Sequence, residues 1–335
     1  QIQKELNQSV DQIDDNANVT YNGKYLVDGS HNNKVKATCT ALTNESMFST
    51  TSGGSKLTDL KTRTGEKLNI HSTDQVTVSF VKQGRTYTTN FSVGTNTLSN
   101  VMASLTSAKN GTAVAGTVIG KMSITGSSSY IGLDTAGNSV FTADNGNALT
   151  ITSTAGSGTD NQISGFTISI ANNQGAINKS ANAALDNFTE SIRAQNKSDD
   201  NAIVLQVGTK ANQAIKVGMT DMRSTALGLK GTDGSVLNVS TQVKSNAAIT
   251  VLDNALQKAL DQQTTIGSVE SRLEYTSSNL TTASENVQAS ESTIRDADMA
   301  KEMTNYTKNN VLLQAAQSML AQANQSSSSV LSLLQ

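Results

Sequence analysis

The side chains that could carry chemistry are few and far apart. The sequence holds two histidines, His31 and His71, and one cysteine, Cys39. Neither histidine lies in a His-Glu-x-x-His pattern, which sets two imidazoles and a general base on one helix face, and neither has the partner residues that acid-base or nucleophilic sites require. One cysteine cannot close an intramolecular disulfide, and with two histidines it is too little for the usual zinc patterns. Asp144-Asn145-Gly146-Asn147 has the composition of a calcium loop without the rest of its ligand spacing, so a hairpin turn is the simpler reading. The expectation is a protein that is not an enzyme and uses no metal and no cofactor. Cys39 reads as a small, partly buried residue, with cross-linking of chains as its reactive alternative.

Composition narrows the classes further. Of 335 residues, 36% are hydrophobic and only 4% aromatic, which favours several small cores or an elongated body over one large aromatic core. The net charge is -2 and the 25 basic residues form no cationic run, so nucleic acid is not expected as a partner. No stretch approaches the roughly 18 consecutive apolar residues of a membrane span, so no membrane insertion is expected, and residue 1 does not open a charged-then-apolar secretion signal. The sequence starts without methionine and within a helical pattern, as an N-terminally shortened chain does.

With so little chemistry to position, the elements themselves become the argument. From Asn246 to about Ala323 the chain has no proline and one glycine, Gly267. Leu252, Ala259, Ile266, Leu273, Leu280, Val287 and Ile294 follow one another at steps of seven, the pattern of a coiled-coil seam that faces a partner. A continuous helix over Asn246 to Arg295 would be roughly 75 Å long. The companion residues change from Leu256, four after Leu252, to Val269, Thr276 and Ala283, three after a column residue, which predicts a bend or a change of partner near Gly267. Beyond Lys308 there is no charge, while Leu312, Ala316, Met319 and Ala323 keep an apolar stripe and Val330, Leu331, Leu333 and Leu334 form an apolar end. Such a stripe in water is an aggregation hazard and calls for burial against other chains or a chaperone. An ordinary intramolecular bundle is the bland alternative for this column.

Upstream, Ile2, Leu6, Val10 and Ile13 place a short amphipathic helix over residues 1 to 15, the obvious partner for the rod. Asn22-Gly23 makes a turn, followed by a short extended piece to Asp28-Gly29. Between His31 and about Ala176 the chain is rich in Thr, Ser, Asn and Gly. Val76, Val78 and Phe80, the turn Gln83-Gly84, and Tyr87, Thr89 and Phe91 read as a hairpin. Leu98 to Leu105 reads as a helix capped by Thr97 and closed by Gly111, and further strands fall at Val118 to Ile124, Tyr130 to Leu133, Ser139 to Thr142, Ala148 to Thr152 and Ile163 to Ile170. Ala181 to Arg193 has helical spacing through Phe188 and Ile192. Ile203 to Val207 and Ile215 to Met219 form a second hairpin, and Asp221 to Leu229 a further helical turn or two.

The residues at both ends carry a specific resemblance. Ser292-Thr293-Ile294-Arg295-Asp296-Ala297-Asp298-Met299-Ala300-Lys301-Glu302, then Leu312-Leu313-Gln314-Ala315-Ala316, Met319-Leu320-Ala321-Gln322-Ala323-Asn324-Gln325 and Val330-Leu331-Ser332-Leu333-Leu334, resemble the C-terminal region of bacterial flagellin. Leu205-Gln206-Val207-Gly208 with Asp221-Met222-Arg223 and Ala226-Leu227-Gly228-Leu229 is similar to that family's inner-domain hairpin. Tyr21-Asn22-Gly23-Lys24 with Leu26-Val27-Asp28-Gly29 is similar to the stretch after its N-terminal rod helices.

The resemblance implies an elongated α+β fold: a long antiparallel, coiled-coil-like helical rod with a β-hairpin, plus a mainly antiparallel α+β outer insert. It assigns 1–30 to the N-terminal part of an inner rod domain, 31–180 to a variable outer insert of one or two small domains, and 181–240 to a return helix and hairpin. It assigns 241–297 to the C-terminal rod helix and 298–335 to a core-domain helix. In the family a further N-terminal stretch pairs with that helix and is absent from this sequence, so the tail is expected to lack its mate. The function implied is a structural subunit of the flagellar filament, secreted and extracellular, self-assembling for motility, with the column Leu252 to Ile294 as assembly seam. Implied partners are other flagellin subunits in a homopolymer, an export chaperone on the tail residues Leu312, Ala316, Met319, Leu320, Ala323, Leu331 and Leu334, and an innate immune receptor reading the rod at Arg295. The metalloprotease insert of some flagellins is not indicated by His31 and His71. The alternative function is a cell-surface adhesin or carbohydrate-binding module carried by the insert.

Overall fold

The computed structural model describes residues 1–105, 119–123, 130–141, 148–153, 156–296 and 298–333; Gly111, Asp144-Asn145-Gly146-Asn147, Ala297 and Leu334 lie outside the described residues. The chain divides into two units, Gln1–Ser271 and Arg272–Gln335.

The first unit opens with helix α1 (Ile2–Ala17), whose apolar stripe buries Val10 while Ile2 at its start stays exposed. Strands β1 (Thr20–Tyr21) and β2 (Lys24–Tyr25) are joined by Asn22 and Gly23, both at positive φ (52° and 73°), as a two-residue turn of the primed type requires. Strand β3 (Ala41–Asn44) is buried along its length. Strands β4 (Gln75–Lys82) and β5 (Arg85–Ser92) form the expected hairpin, Lys82 opposite Arg85, around Gln83 and Gly84 at φ 49° and 69°. In helix α2 (Leu98–Ser104) the Thr97 side chain accepts from the Asn100 amide, the N-cap its sequence predicts.

Strands β6 (Ile119–Ser123), β7 (Tyr130–Leu133), β8 (Ser139–Phe141), β9 (Leu149–Ser153) and β10 (Ile163–Ala171) follow. Helix α3 (Lys179–Leu185) leads to β11 (Thr189–Ile192), and β12 (Ile203–Gln206) pairs with β13 (Ala214–Val217) as the second hairpin. Among the described residues every strand pairing is antiparallel. The larger sheets have the orders β10-β4-β5 and β11-β3-β9-β6.

One hydrophobic cluster spans these sheets, with Val76, Val78, Phe80, Leu98, Val101, Leu149, Phe166 and Ile168 at its centre. It also takes Ala181, Ala184, Leu185 and Phe188, so a boundary at residue 180 falls inside a shared core. Here the sequence pattern misleads. The helix expected over Ala181 to Arg193 stops at Leu185, and the chain turns to pair β11 with β3. Phe188 packs edge-on against Phe166, ring centroids 4.9 Å apart. Tertiary pairing outweighs helical spacing because the strand satisfies the sheet edge that β3 presents. Asp221 to Leu229 likewise forms successive turns instead of a helix, with Gly228 at φ 80°.

Helix α4 (Gln242–Arg295) begins in the first unit and runs through Gly267 without a break in the helix. The helix ends at Arg295. Asp298 then starts α5 (Met299–Leu333), its Oδ1 accepting from the amides of Ala300 (3.0 Å) and Lys301 (3.2 Å).

Candidate assembly surface

In the first unit a second cluster brings α1 onto α4. Val10 packs with Ala247, Ala248, Val251 and Ala255 of α4 and with Leu227, Leu229 and Leu237 of the connecting turns; Leu6 and Ile13 lie against the same cluster. The expected pairing of the first helix with the rod is present. Polar contacts tie α1 to the turns that lead into α4. Asp14 accepts from the amide (2.8 Å) and hydroxyl (2.7 Å) of Ser224, Lys230 Nζ reaches Asp11 at 3.2 Å, and Gln3 bonds Leu237 O and the Val239 amide at 2.8 Å each.

The buried face of α4 is not the column read from sequence. Ala248, Ala255, Gln262 and Val269 are buried and also step by seven. Leu252, Ala259 and Ile266 each stand four residues on from that row, roughly 40° further around the helix, and are exposed, Leu252 and Ile266 both at 39%. They border an open apolar cleft of about 720 Å³ floored by Leu227 and Leu229, with Ile13, Ala17, Val27 and Met222 on the other side. In the second unit Leu273 is half-buried, while Leu280, Val287 and Ile294 are exposed. Apart from Leu273, the column is thus an exposed apolar stripe outside the buried core clusters.

The tail is similar. Leu312, Ala316, Met319, Leu320, Ala323 and Leu331 are all exposed on α5, and no residue of that helix is buried. Arg295 is also exposed and pairs with Glu291 at 2.5 Å, one turn back on α4.

Where β11 meets α4 there is a charge cluster, buried at Glu190 and Lys258 and open to solvent at Asp261, that the sequence reading missed. Arg193 Nε lies 3.4 Å from Glu190 Oε2, Arg193 Nη1 lies 2.5 Å from Asp261 Oδ2, and Lys258 Nζ donates to Ala226 O at 3.2 Å. Burial pushes the Glu190 carboxyl up to about 7, against the pull of Arg193 and Lys258, and burial pushes the Lys258 ammonium down. Neighbouring Gln262 accepts from the Thr220 amide (3.2 Å) and hydroxyl (2.9 Å). Only the fold makes the group visible, since Glu190 and Lys258 are far apart in sequence.

The histidines are apart: His31 Nδ1 is 3.3 Å from Asn201 O and His71 Nδ1 is 3.8 Å from Asp74. Among the described residues no group of three His, Cys, Asp or Glu side chains is placed to hold a metal, and no helix is long and apolar enough to cross a membrane. Cys39 is a free, half-buried thiol.

Comparison with known proteins bears directly on the exposed stripe. The family model of the bacterial flagellin C-terminal helical region matches residues 249–334, most of α4 and all of α5. "Putative flagellin YvzB" of Bacillus subtilis (strain 168) is 43% identical over 139 residues, 41% of this chain and 83% of that protein. The chain belongs to the flagellin family. A flagellin of the same Bacillus strain is 44% identical over 149 residues, 39% of this chain and 49% of the relative. The flagellar filament 33 kDa core protein of Treponema phagedenis is 46% identical over 129 residues, 38% of this chain and 45% of the relative. The flagellin relationship therefore covers half or less of these longer relatives. The family is a structural one, and its matched C-terminal region contains the apolar stripe that the intrachain core leaves uncovered.

Proposed function

We propose that this flagellin is a structural subunit of the bacterial flagellar filament, polymerising with other copies through its terminal helices. One observation carries the reading: the seven-step column, Leu273 apart, and the described charge-free end of α5 are apolar and exposed. Exposed apolar surface of this extent marks an association surface, and the Treponema relative is named for a filament core.

On this reading 1–30 and 181–297 form an inner rod, 31–180 is carried outward as an insert, and 298–335 lies toward the filament core. The protein is then secreted and extracellular. The tail from Leu312 to Leu331 suits an export chaperone before assembly, and Arg295 suits a contact for an innate immune receptor, which a reporter-cell assay of Arg295→Ala would decide. The relatives named above are flagellins and a filament core protein, which favours assembly over adhesion as the reading.

Electron microscopy of the full-length protein under assembly conditions tests the proposal. Wild type should form filaments, and Leu280→Asp or Ile294→Asp should abolish them while leaving the monomer's circular dichroism unchanged, since both side chains are exposed. Normal filaments from both variants would overturn it.

A further inference from the structure

The loops between β3 and β4 build a cleft on which the filament reading makes no demand. Three leucines hold these loops in place: Leu57, Leu60 and Leu68 are at most 1% exposed. Backbone bonds lock the frame, with the Phe48 amide on Lys61 O (3.1 Å), Leu68 on Leu60 O (3.1 Å) and Thr62 on Glu66 O (2.8 Å). The cleft measures about 580 Å³, within the roughly 300–1,000 Å³ of small-molecule sites.

Its charges are arranged at a cost. Lys56, Lys61 and Lys67 all line the cleft, and Lys61 stands directly opposite Lys67 in an antiparallel bridge. The hydrogen bonds on either side make this the closer, non-hydrogen-bonded kind of pair, where like charges repel. Among the described residues none of the three is paired with a carboxylate. Lys61 Nζ lies over the Phe48 ring, 5.6 Å from its centroid, and Thr50, Thr51 and Asp59 supply hydroxyls and a carboxylate.

We propose that this cleft binds a carboxylated sugar, its acid group between Lys61 and Lys67 and its hydroxyls on Asp59 and the threonines. An anion placed between the two lysines relieves their repulsion. Asp59 opposes a bare polyanion yet is a good acceptor for sugar hydroxyls. A nucleic acid finds no series of stacking rings, since Phe48 is the one aromatic side chain lining the cleft.

Titration of the full chain with sialyllactose, lactose and inorganic sulfate decides the matter. Sialyllactose should bind saturably and lactose at least about tenfold more weakly; Lys67→Ala and Lys61→Met, the latter keeping its stem over Phe48, should each weaken binding about fivefold or more. Unchanged circular dichroism would show that both variants fold. No saturable binding of sialyllactose, equal binding of lactose, sulfate binding as tightly as the sugar, or variants that bind like wild type would each overturn the assignment. No residue of α4 or α5 takes part, so the outcome is independent of filament formation.

Discussion

At Glu190 a carboxylate is held almost out of water, its side chain 4% exposed, with Oε1 unbonded among the described residues. Burial raises it from an ordinary 4.5 to about 7, so the folded chain holds this proton more tightly than the unfolded chain does. The stability contributed is complete below about pH 4.5 and is lost as pH rises through about 7. Glu190→Gln keeps the shape and removes the titration. Urea midpoints between pH 5 and 8 should therefore fall in wild type and stay flatter in the variant, the difference being on the order of 2 kcal/mol. Identical slopes in the two proteins would place the carboxylate in a far wetter setting. Asp221 and Asp261 also face this cluster, through Lys258 and Arg193 respectively. Nothing in the local sequence Thr189-Glu190-Ser191 marks the residue; its environment is made by α4.

Between elements, the junction of β10 with α4 depends on one missing side chain. Gly165 sits at φ 61° where the register of β10 against β4 shifts, and a Cβ there would meet Ala247 O at 2.5 Å and Val251 Cγ2 at 2.8 Å. Gly165→Ala should cost at least about 2 kcal/mol, from positive-φ strain and overpacking together, read as a lower urea midpoint. A neutral substitution would mean that α4 can withdraw from the strand freely. A glycine inside an alternating strand is a legible sign of a bulge or close approach. That the approaching element is α4 is not legible, because the contact joins residues far apart in the chain.

For the whole molecule, the two units differ in how they are held. The first has fully buried side chains such as Phe80, Leu98 and Ile168. The second is helix with no buried residue in α5. Isolated helices draw little stability from propensity alone. In hydrogen exchange on the dilute monomer, amides of α5 should exchange at least about 100-fold faster than those of β4 and β10, and should gain protection in filaments or with an export chaperone bound. Protection of α5 equal to that of β4 in the monomer would contradict the open stripe on which the assembly proposal rests.

What the sequence determined by itself is local or periodic. Asn22-Gly23 is a turn because few other residues accept positive φ so readily, and Gly84 signals the second turn for the same reason, while Gln83 is held at φ 49° by the strands it joins; Thr97 caps α2 because its hydroxyl reaches an amide three residues on. The long helices and the flagellin likeness were also on the page, since both rest on unbroken runs of residues. Tertiary structure alone decided which face of α4 is inside. Leucines weigh most in a pattern, so the column Leu252, Ala259, Ile266 stood out, yet the helix packs on Ala247, Ala248, Val251 and Ala255. Small side chains let α1 and β10 come close, and the row Ala248, Ala255 and Gln262 that they bury stands four residues, roughly 40°, from the column. That offset leaves Leu252, Ala259 and Ile266 beside the packed face and exposed to solvent.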